Sequence, residues 1–518
     1  MPTIAEALAI GFQHHQAGQL PQAEQIYRQI LAQQPSYPNA LHLLGMLALQ
    51  TGRPLEAVSL IEQAIAVDPA QAVFHGDLGS AYLVVGRHED ALASLKQAIA
   101  RDPLYPDPHY NEGVLHYHFG RLEAAMACYR RCLELRPDHF LSHVNLGVIY
   151  QDLFRLAEAQ QHYERALELQ PGSAVAHYNL GSVLKIQGQL AAAVECYDKA
   201  IAIDPNYPHA IASRAVVSLT LGDLAGGWAG YEFRVGVPPF DTMTFPQPRW
   251  DGSPLGDRTL LIHCEQGLGD TLQFIRYLKM AQERGGKVIV AVQPSLIPLL
   301  SQSGFRGLVS KKDPLPAFDV HVPLLSLPHV FGTVLETVPA DIPYLVAEPE
   351  RIAKWRKHFE PYTGLKVGIT WQGGKTYKAD RIRSIPLASF APLAGVPGVQ
   401  LFSLQKGPGC EQIPANAEKL SMVDLGPLLD NDGGAFLDTA AVIQNLDLIV
   451  VCDTAIGHLA GALGARVWLA LTRDSEWRWM LDRTDSPWYP TVRLFRQRQF
   501  GDWDQVFRDM TAELARLV

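Results

Sequence analysis

Residues 263–278 read HCEQGLGDTLQFIRYL, and residues 451–464 read VCDTAIGHLAGALG. Each joins an apolar, strand-like run to a helix pattern through a short loop that carries one aspartate. In the first loop, Gly267 and Gly269 let the backbone come close to a ligand at a helix N-terminus. Asp270 stands at that mouth, where it would cap the helix or take a proton from a hydroxyl in a cleft. Gln266, Gly267 and Gly269 would then form the loop facing the group that supplies the hydroxyl. In the second loop, the free N–H groups, the helix dipole and the Thr454 hydroxyl would favour a diphosphate. Asp453 ends the strand, Ala455 opens the helix, and His458, one turn inside, could donate to the same phosphates.

The elements around these loops alternate. Strand patterns at Arg258–Cys264, Lys287–Val292 and Asp319–Val322 are separated by helix patterns at Asp270–Arg284 and Ser295–Ser303. A charged helix, Pro349–Phe359, leads to strand patterns at Lys366–Trp371, Val399–Leu404, Leu448–Cys452 and Val467–Leu471. Helix patterns at Ala435–Asn445 and Ile456–Leu463 lie among them, and Trp503–Val518 is an amphipathic last helix. The pattern predicts two doubly wound lobes whose cleft lies at the carboxyl ends of the strands. A proline- and glycine-rich segment, residues 240–257, reads as a linker wrapping onto the first lobe.

The first half repeats instead. Glycine recurs every 34 residues at 11, 45, 79, 113, 147 and 181, alanine at 23, 57, 91, 125, 159 and 193, and proline at seven positions from 35 to 239. A second glycine at 18, 52, 86, 120, 188 and 222 would end the first helix of each unit, with Phe154 breaking the series. The aromatic or aliphatic residue four after each alanine, such as Tyr129 or Tyr163, would fill the space between units. This spacing resembles the tetratricopeptide repeat, a helix–turn–helix unit that stacks into a curved solenoid. The seventh unit is degenerate, with Ala215, Gly227 and Arg234, and reads as the joint to the next domain. Asp77, Asn111, Asn145 and Asn179 recur two residues before the first glycine. An amide offers a donor and an acceptor, so such a ladder could hold a peptide backbone in the groove. It resembles the asparagine ladder of O-GlcNAc transferases. A solvated helix position is the alternative. A parallel series, His75, His109, His143 and His177, is spaced too widely to share a metal and reads as packing.

Composition limits the classes. The chain has 518 residues, 47% of them hydrophobic and 19% charged, and a net charge of −9. That argues against a general nucleic-acid or anionic-membrane binder. No apolar run approaches a membrane span, and MPTIAEALAIGFQHHQ has no basic lead into one, so a cytoplasmic protein is expected. The six scattered cysteines make no zinc pattern and read as reduced thiols.

EQGLGDTLQFIRY together with CDTAIGHLAGALG resembles the family 9 glycosyltransferases, the ADP-heptose:lipopolysaccharide heptosyltransferases, which have a GT-B fold. DRIRSIP, SLQKG, WRWM and DSPWYPTVRLFRQ resemble a bacterial group that fuses tetratricopeptide repeats to such a domain, over residues 240–510. The resemblance implies a multidomain chain: an all-α repeat solenoid over 1–241, then an α/β GT-B fold of two Rossmann-like lobes, 242–348 on the acceptor side and 349–518 on the nucleotide-sugar side. It implies that Asp270 is the general base and that Asp453, Thr454, Ala455 and His458 hold the donor's sugar and diphosphate. Arg383 or Ser384 would reach the phosphates, and Gln405 and Lys406 resemble the donor-phosphate pair of O-GlcNAc transferases. The family commonly has glycine where this chain has Ala455. No metal or other cofactor is expected beyond the nucleotide-sugar substrate. The DxD strings at Asp430–Asp432 and Asp502–Asp504 follow no convincing buried strand. Lys375, Lys378, Arg381 and Arg383 form a basic loop that faces either solvent or the donor, and Trp477 or Trp479 would stack on the base or sugar or pack the C-terminal segment. The expected activity is inverting transfer of a sugar to Ser or Thr of a protein held by the repeats, flagellin or another surface protein. The alternatives are a scaffold with an inactive α/β half and a transferase acting on a lipopolysaccharide or polysaccharide.

Overall fold

The computed structural model describes residues 3–235, 243–374 and 380–518. Pro239, the expected boundary at 241/242, Lys375, Lys378 and the side chain of Arg381 lie outside what is described. The chain divides into two compact units, Met1–Val183 and Leu184–Val518.

The first unit holds most of the repeat array. Helices of 13 residues (Pro38–Gln50, Ala72–Val84, Pro106–His118, Phe140–Asp152) alternate with helices of 14 (Pro54–Val67, His88–Arg101, Leu122–Leu135, Leu156–Leu169). The periodic glycine sets the distance between the two. A Cβ on Gly113 would lie 2.6 Å from the Tyr129 ring, and one on Gly147 2.5 Å from Tyr163. No Cβ fits there, so the ring of the second helix lies directly on the backbone of the first. Gly18, Gly52, Gly86 and Gly120 take left-handed turns at φ of 71°, 77°, 75° and 70°. Phe154 takes the same turn at φ 57°, where its Cβ costs about 1–2 kcal/mol.

The histidine series has one consistent job. Nε2 of His75, His109, His143 and His177 lies 3.0–3.1 Å from the carbonyl oxygens of Pro69, Pro103, Pro137 and Pro171. Proline's carbonyl is left over where the preceding helix ends, and the histidine of the next helix satisfies it.

The second unit opens with helices Leu190–Ile203, Pro208–Thr220 and Leu224–Tyr231. Two parallel sheets follow. The first contains β1 (Thr259–His263), β2 (Lys287–Val292), β3 (Leu308–Ser310) and β4 (Val320–Pro323), in the order β3-β2-β1-β4. The second contains β5 (Leu365–Thr370), β6 (Val399–Ser403), β7 (Val423–Asp424), β8 (Leu448–Cys452), β9 (Val467–Leu471) and β10 (Val492–Arg496). Its order, β10-β9-β8-β5-β6-β7, is the doubly wound one, with the direction of winding reversing between β5 and β8. In the first sheet the reversal lies between β1 and β4. Both singled-out loops leave strands at these reversals, after β1 and after β8. β3, β7 and β10 are additions to the sequence reading. The described part of the linker lies along β4, with the Trp250 N–H donating to the His321 carbonyl at 2.8 Å.

The degenerate seventh repeat belongs to the core of this unit. Leu219, Leu224, Trp228 and Tyr231 are buried in one apolar cluster with residues of both sheets. Its small residues are exchanged rather than lost. Where earlier units place glycine on the first helix, Ala215 stands here, and a Cβ on Gly230 of the second helix would lie 2.8 Å from its methyl. Past that helix, the Arg234 guanidinium is 1% exposed and donates to Glu265 Oε1 at 2.5 Å, Ser326 Oγ at 3.0 Å and Glu232 Oε1 at 3.0 Å. Glu265, at the foot of the EQGLGD loop, is fully buried. Removing one member of such a pair strands a buried charge, which costs about 3–5 kcal/mol. Arg234→Met is therefore expected to lower the urea-unfolding free energy by about that amount, and Arg234→Met with Glu265→Gln to recover part of it. Equal losses in the single and double variants would show that the ion pair is not the source.

Candidate functional site

The EQGLGD loop begins at the end of β1 with Gln266 in the left-handed region, at φ 61°. A non-glycine residue held there stores strain of about 1–3 kcal/mol, which the surroundings must hold in place. The helix Leu268–Phe274 starts two residues earlier than its hydrophobic pattern suggests, with Gly267 as its cap. Asp270 is thus not the cap itself. It lies in the first turn and reaches back, its Oδ2 accepting the Gly267 N–H at 2.8 Å. Its Oδ1 accepts from Arg478 Nη2. The Asp270 side chain is 18% exposed. Burial pushes its carboxyl above the usual range, and Arg478 and the Gly267 N–H pull it back.

The second loop begins at β8. Asp453 is 7% exposed, and the helix Ala455–Ala462 starts two residues later. Thr454 caps that helix by backbone geometry only. Its hydroxyl turns back to the Cys452 carbonyl at 3.3 Å, leaving the first turn without a side-chain cap. The two loops meet. A Cβ on Gly269 would lie 2.9 Å from the His458 ring and 3.3 Å from Ala455 Cα. Gly269 therefore supplies the room that glycine at 455 would otherwise give. His458 is 6% exposed, stacks on Trp479 with ring centroids 5.2 Å apart, and has Nδ1 3.1 Å from the Tyr489 hydroxyl. Burial, and then Arg478, Arg276 and Arg383, hold it well below the ordinary histidine range, so it is a neutral polar group here.

A cleft beside Asp453 is lined by Arg383, Thr472, Asp474, Ser475 and Glu476. Burial, then the neighbouring Glu476 carboxylate, raises the Asp453 carboxyl to about 6, against the pull of Arg383, Trp479 and Arg478. Arg383 Nε donates to Asp380 Oδ1 at 3.1 Å. Ser384 Oγ donates to the other oxygen of Asp380 at 3.0 Å, so its hydroxyl serves that turn.

Gln405 and Lys406 are engaged elsewhere. Gln405 Oε1 accepts from the Trp371 and Gln372 N–H groups at 3.0 and 3.2 Å, and its Nε2 donates to the Gln372 and Pro408 carbonyls at 2.9 and 2.7 Å. Its amide thus staples the loop after β5. Lys406 Nζ donates to the Leu429 carbonyl and, at 3.0 Å, to Asn431 Oδ1. The DxD aspartates also have structural work. Asp430 Oδ1 accepts the Asp438 and Thr439 N–H groups, and Asp502 Oδ1 caps the last helix through Gln505. Trp477 and Trp479 are 2% and 1% exposed, and Trp477 packs edge-on against Trp228 at 5.4 Å. The structure places both among protein aromatics.

The sequence pattern gives Arg478, the arginine of WRWM, no role of its own. It stands between two tryptophans in SEWRWM, is 4% exposed, and bonds Asp270 and Glu476. Its signal is an arginine set between two tryptophans.

In the repeat unit, the ladder residues are half-buried, and three of them are tied to the preceding unit. Asp77 Oδ2 pairs with His42 at 2.6 Å, Asn111 donates to Ser80 Oγ at 2.8 Å, and Asn145 donates to the hydroxyls of Tyr129 and Tyr110 at 3.3 and 3.4 Å. Asn179 holds the same register. No helix among the described residues is long and apolar enough to cross a membrane, and no group of three or more potential ligands that could hold a metal is found among them.

Asp453 gives a pH test. An acid whose folded pKa, about 6, exceeds its unfolded value of 3.8 makes the native state bind more protons between those limits. Its contribution to stability therefore falls as pH rises from about 4 to about 6 and is constant above. Asp453→Asn lacks this term. The stability of the natural chain relative to the variant is expected to fall by about 1–3 kcal/mol across that window in urea unfolding. A constant difference would show that Asp453 is not perturbed.

Tetratricopeptide-repeat family models match residues 14–81, 77–140 and 138–206, so the N-terminal region is built of these repeats. Protein FlbA of Caulobacter vibrioides is 30% identical over 322 residues, which is 56% of this chain and 52% of that protein. The chain thus spans about half the length of the curated relative it matches. Among solved structures, pilF of Pseudomonas aeruginosa is 19% identical, covering 41% of this chain and 96% of its own, with a TM-score of 0.38. A thermophilic tetratricopeptide-repeat protein of Thermus thermophilus is 25% identical, covering 35% and 99%, with a TM-score of 0.32.

Proposed function

We propose that the second unit is a nucleotide-sugar-dependent glycosyltransferase of GT-B type and that the repeats hold its protein acceptor. The observation that carries this reading is the meeting of the two glycine loops. Gly269 lies against His458 and Ala455, which brings Asp270 and the uncapped turn after Asp453 into one neighbourhood. An uncapped helix N-terminus beside Arg383 is suited to a leaving diphosphate, because its N–H groups and the cation meet charge as it develops. Asp270, set above the ordinary carboxylate range by burial, is suited to take the proton of an acceptor alcohol. Displacement with Asp270 as base inverts the sugar carbon. Helix dipole, Arg383 and His458 would act without a metal. Gln405 and Lys406 drop out of the donor site in this reading, because their polar atoms are taken up by the chain itself. A Ser or Thr hydroxyl of flagellin or another surface protein is the proposed acceptor, with Asp77, Asn111, Asn145 and Asn179 contacting its backbone.

A specific observation favours a second reading. The repeats are the part that family comparison recognises, and both oxygens of Asp270 are occupied by protein donors. A protein-binding scaffold with an inactive α/β half would look the same in these respects.

Two experiments separate the readings. The first is a thermal-shift panel of UDP-, ADP-, GDP- and CMP-sugars on the natural chain and on Asp453→Ala with His458→Ala. A donor at about 100 times its dissociation constant stabilises the fold by about 2.7 kcal/mol. The transferase reading expects one nucleotide class to raise the Tm of the natural chain only, and no response at millimolar concentration would sink it. The second replaces Asn111, Asn145 and Asn179 together by alanine. Sugar transfer to a protein acceptor is expected to fall at least tenfold in kcat/KM, with transfer to a free hydroxyl unchanged. An unaltered protein acceptor rate would remove the ladder from capture.

A further inference from the structure

Arg478 is where the two proposed halves of the reaction touch. Its Nη2 donates to Asp270 Oδ1, and its Nη1 donates to Glu476 Oε2 at 3.1 Å. Glu476 lines the cleft beside Asp453 and Arg383. One guanidinium therefore reaches the proposed base on one side and the wall of the proposed phosphate cleft on the other.

Its own position is closely fixed. The ring of Trp477 lies under the guanidinium, 4.7 Å from its carbon, and that of Phe274 lies 5.4 Å away. Two residues on, Met480 is held at φ 47° and ψ −179°, a conformation open almost only to glycine, and Asp482 is at φ 55°. Arg496 of β10 holds this strained loop from below. It donates to the carbonyls of Thr472, Trp479 and Met480 and to Ser475 Oγ. The loop is thus preset, and the guanidinium it carries is shared between Asp270 and Glu476.

A carboxylate bonded to a guanidinium is a poor base, because the bond stabilises its charged form. A diphosphate entering the cleft offers that guanidinium more charge and several acceptor oxygens in place of the single Asp270 oxygen. We propose that Arg478 is a positioning residue that exchanges Asp270 for the diphosphate of the donor, so that Asp270 is freed as a base only when donor is bound. The inference rests on the reading of Asp270 as base and of the Asp453 cleft as the diphosphate site. It adds an order of events: donor first, then deprotonation.

The exchange has a signature that a purely structural tie between the loops lacks. Asp270 and diphosphate compete for one cation, so removing Asp270 strengthens diphosphate binding and removing Arg478 weakens it. Inorganic pyrophosphate is titrated calorimetrically into the full chain and into Asp270→Asn, Arg478→Met, Arg478→Lys and the double variant Asp270→Asn with Arg478→Met. Expected are binding about tenfold tighter in Asp270→Asn and about tenfold weaker in Arg478→Met, the worth of one charge-assisted hydrogen bond. The double variant should match Arg478→Met, and Arg478→Lys, which keeps the charge and loses the fork, should fall between that variant and the natural chain. If Arg478→Met fails to fold, the Asp270→Asn and Arg478→Lys pair carries the same test. Unchanged or weaker binding in Asp270→Asn, with pyrophosphate bound by the natural chain, overturns the exchange and leaves the donor cleft standing. Failure of the natural chain to bind millimolar pyrophosphate overturns both.

Discussion

A missing Cβ holds the second unit together at its most consequential point. Gly269 lies so close to the helix Ala455–Ala462 that any side chain there would enter the His458 ring or the Ala455 backbone. That contact brings loops from two separate sheets within reach of one another. It fixes where Asp270 lies relative to the turn after Asp453 and requires the neutral, stacked His458 that fills the space below. The same device, a backbone laid bare so that another residue can rest on it, spaces the helices of the repeat unit through Gly113 and Gly147.

Buried arginines do further fastening, in two manners. Arg234 neutralises Glu265 at the foot of the first loop. Arg276 instead donates to the carbonyls of Gln273, Pro339 and Trp488 and to the Tyr344 hydroxyl. It gathers the connection between the sheets onto the first lobe's helix. Arg496 likewise directs its donors to carbonyls and a serine hydroxyl, and burial lowers its guanidinium to about 10. A guanidinium suits these tasks because five fixed donors can satisfy several oxygens at once.

The sequence was most readable where one residue type has one physical consequence. Glycine at a 34-residue period could only mean repeated close approach, and the aspartates after β1 and β8 lie at the carboxyl ends of strands, where the strand pattern put them. It was least readable where a residue's partners come from far along the chain. Gln405 and Lys406 are the right types at the end of a strand, yet the backbone of residues 371–372, 408, 429 and 430 and the Asn431 side chain claim them. Nothing local announces that. Arg234 and Arg478 show the converse: their partners Glu265 and Asp270 lie 31 and 208 positions away, beyond any local pattern. The strand β10, VRLFR, is hard to read from sequence because arginines interrupt its apolar run, although it pairs with β9 along its whole length.

The exchanged small residues of the seventh repeat bear on how such a chain could change its length. In the earlier units the helix pairs meet through glycine on the first helix, so a whole 34-residue block could be duplicated or lost with that contact repeated. The seventh cannot be copied in this way. Its contact is built from Ala215 and Gly230, and its outer face carries Trp228 and Tyr231 into the core of the sheets. It is an end piece. The array is free to grow or shrink only before it, so the reach of the repeats can be adjusted while the geometry of the α/β half is left alone.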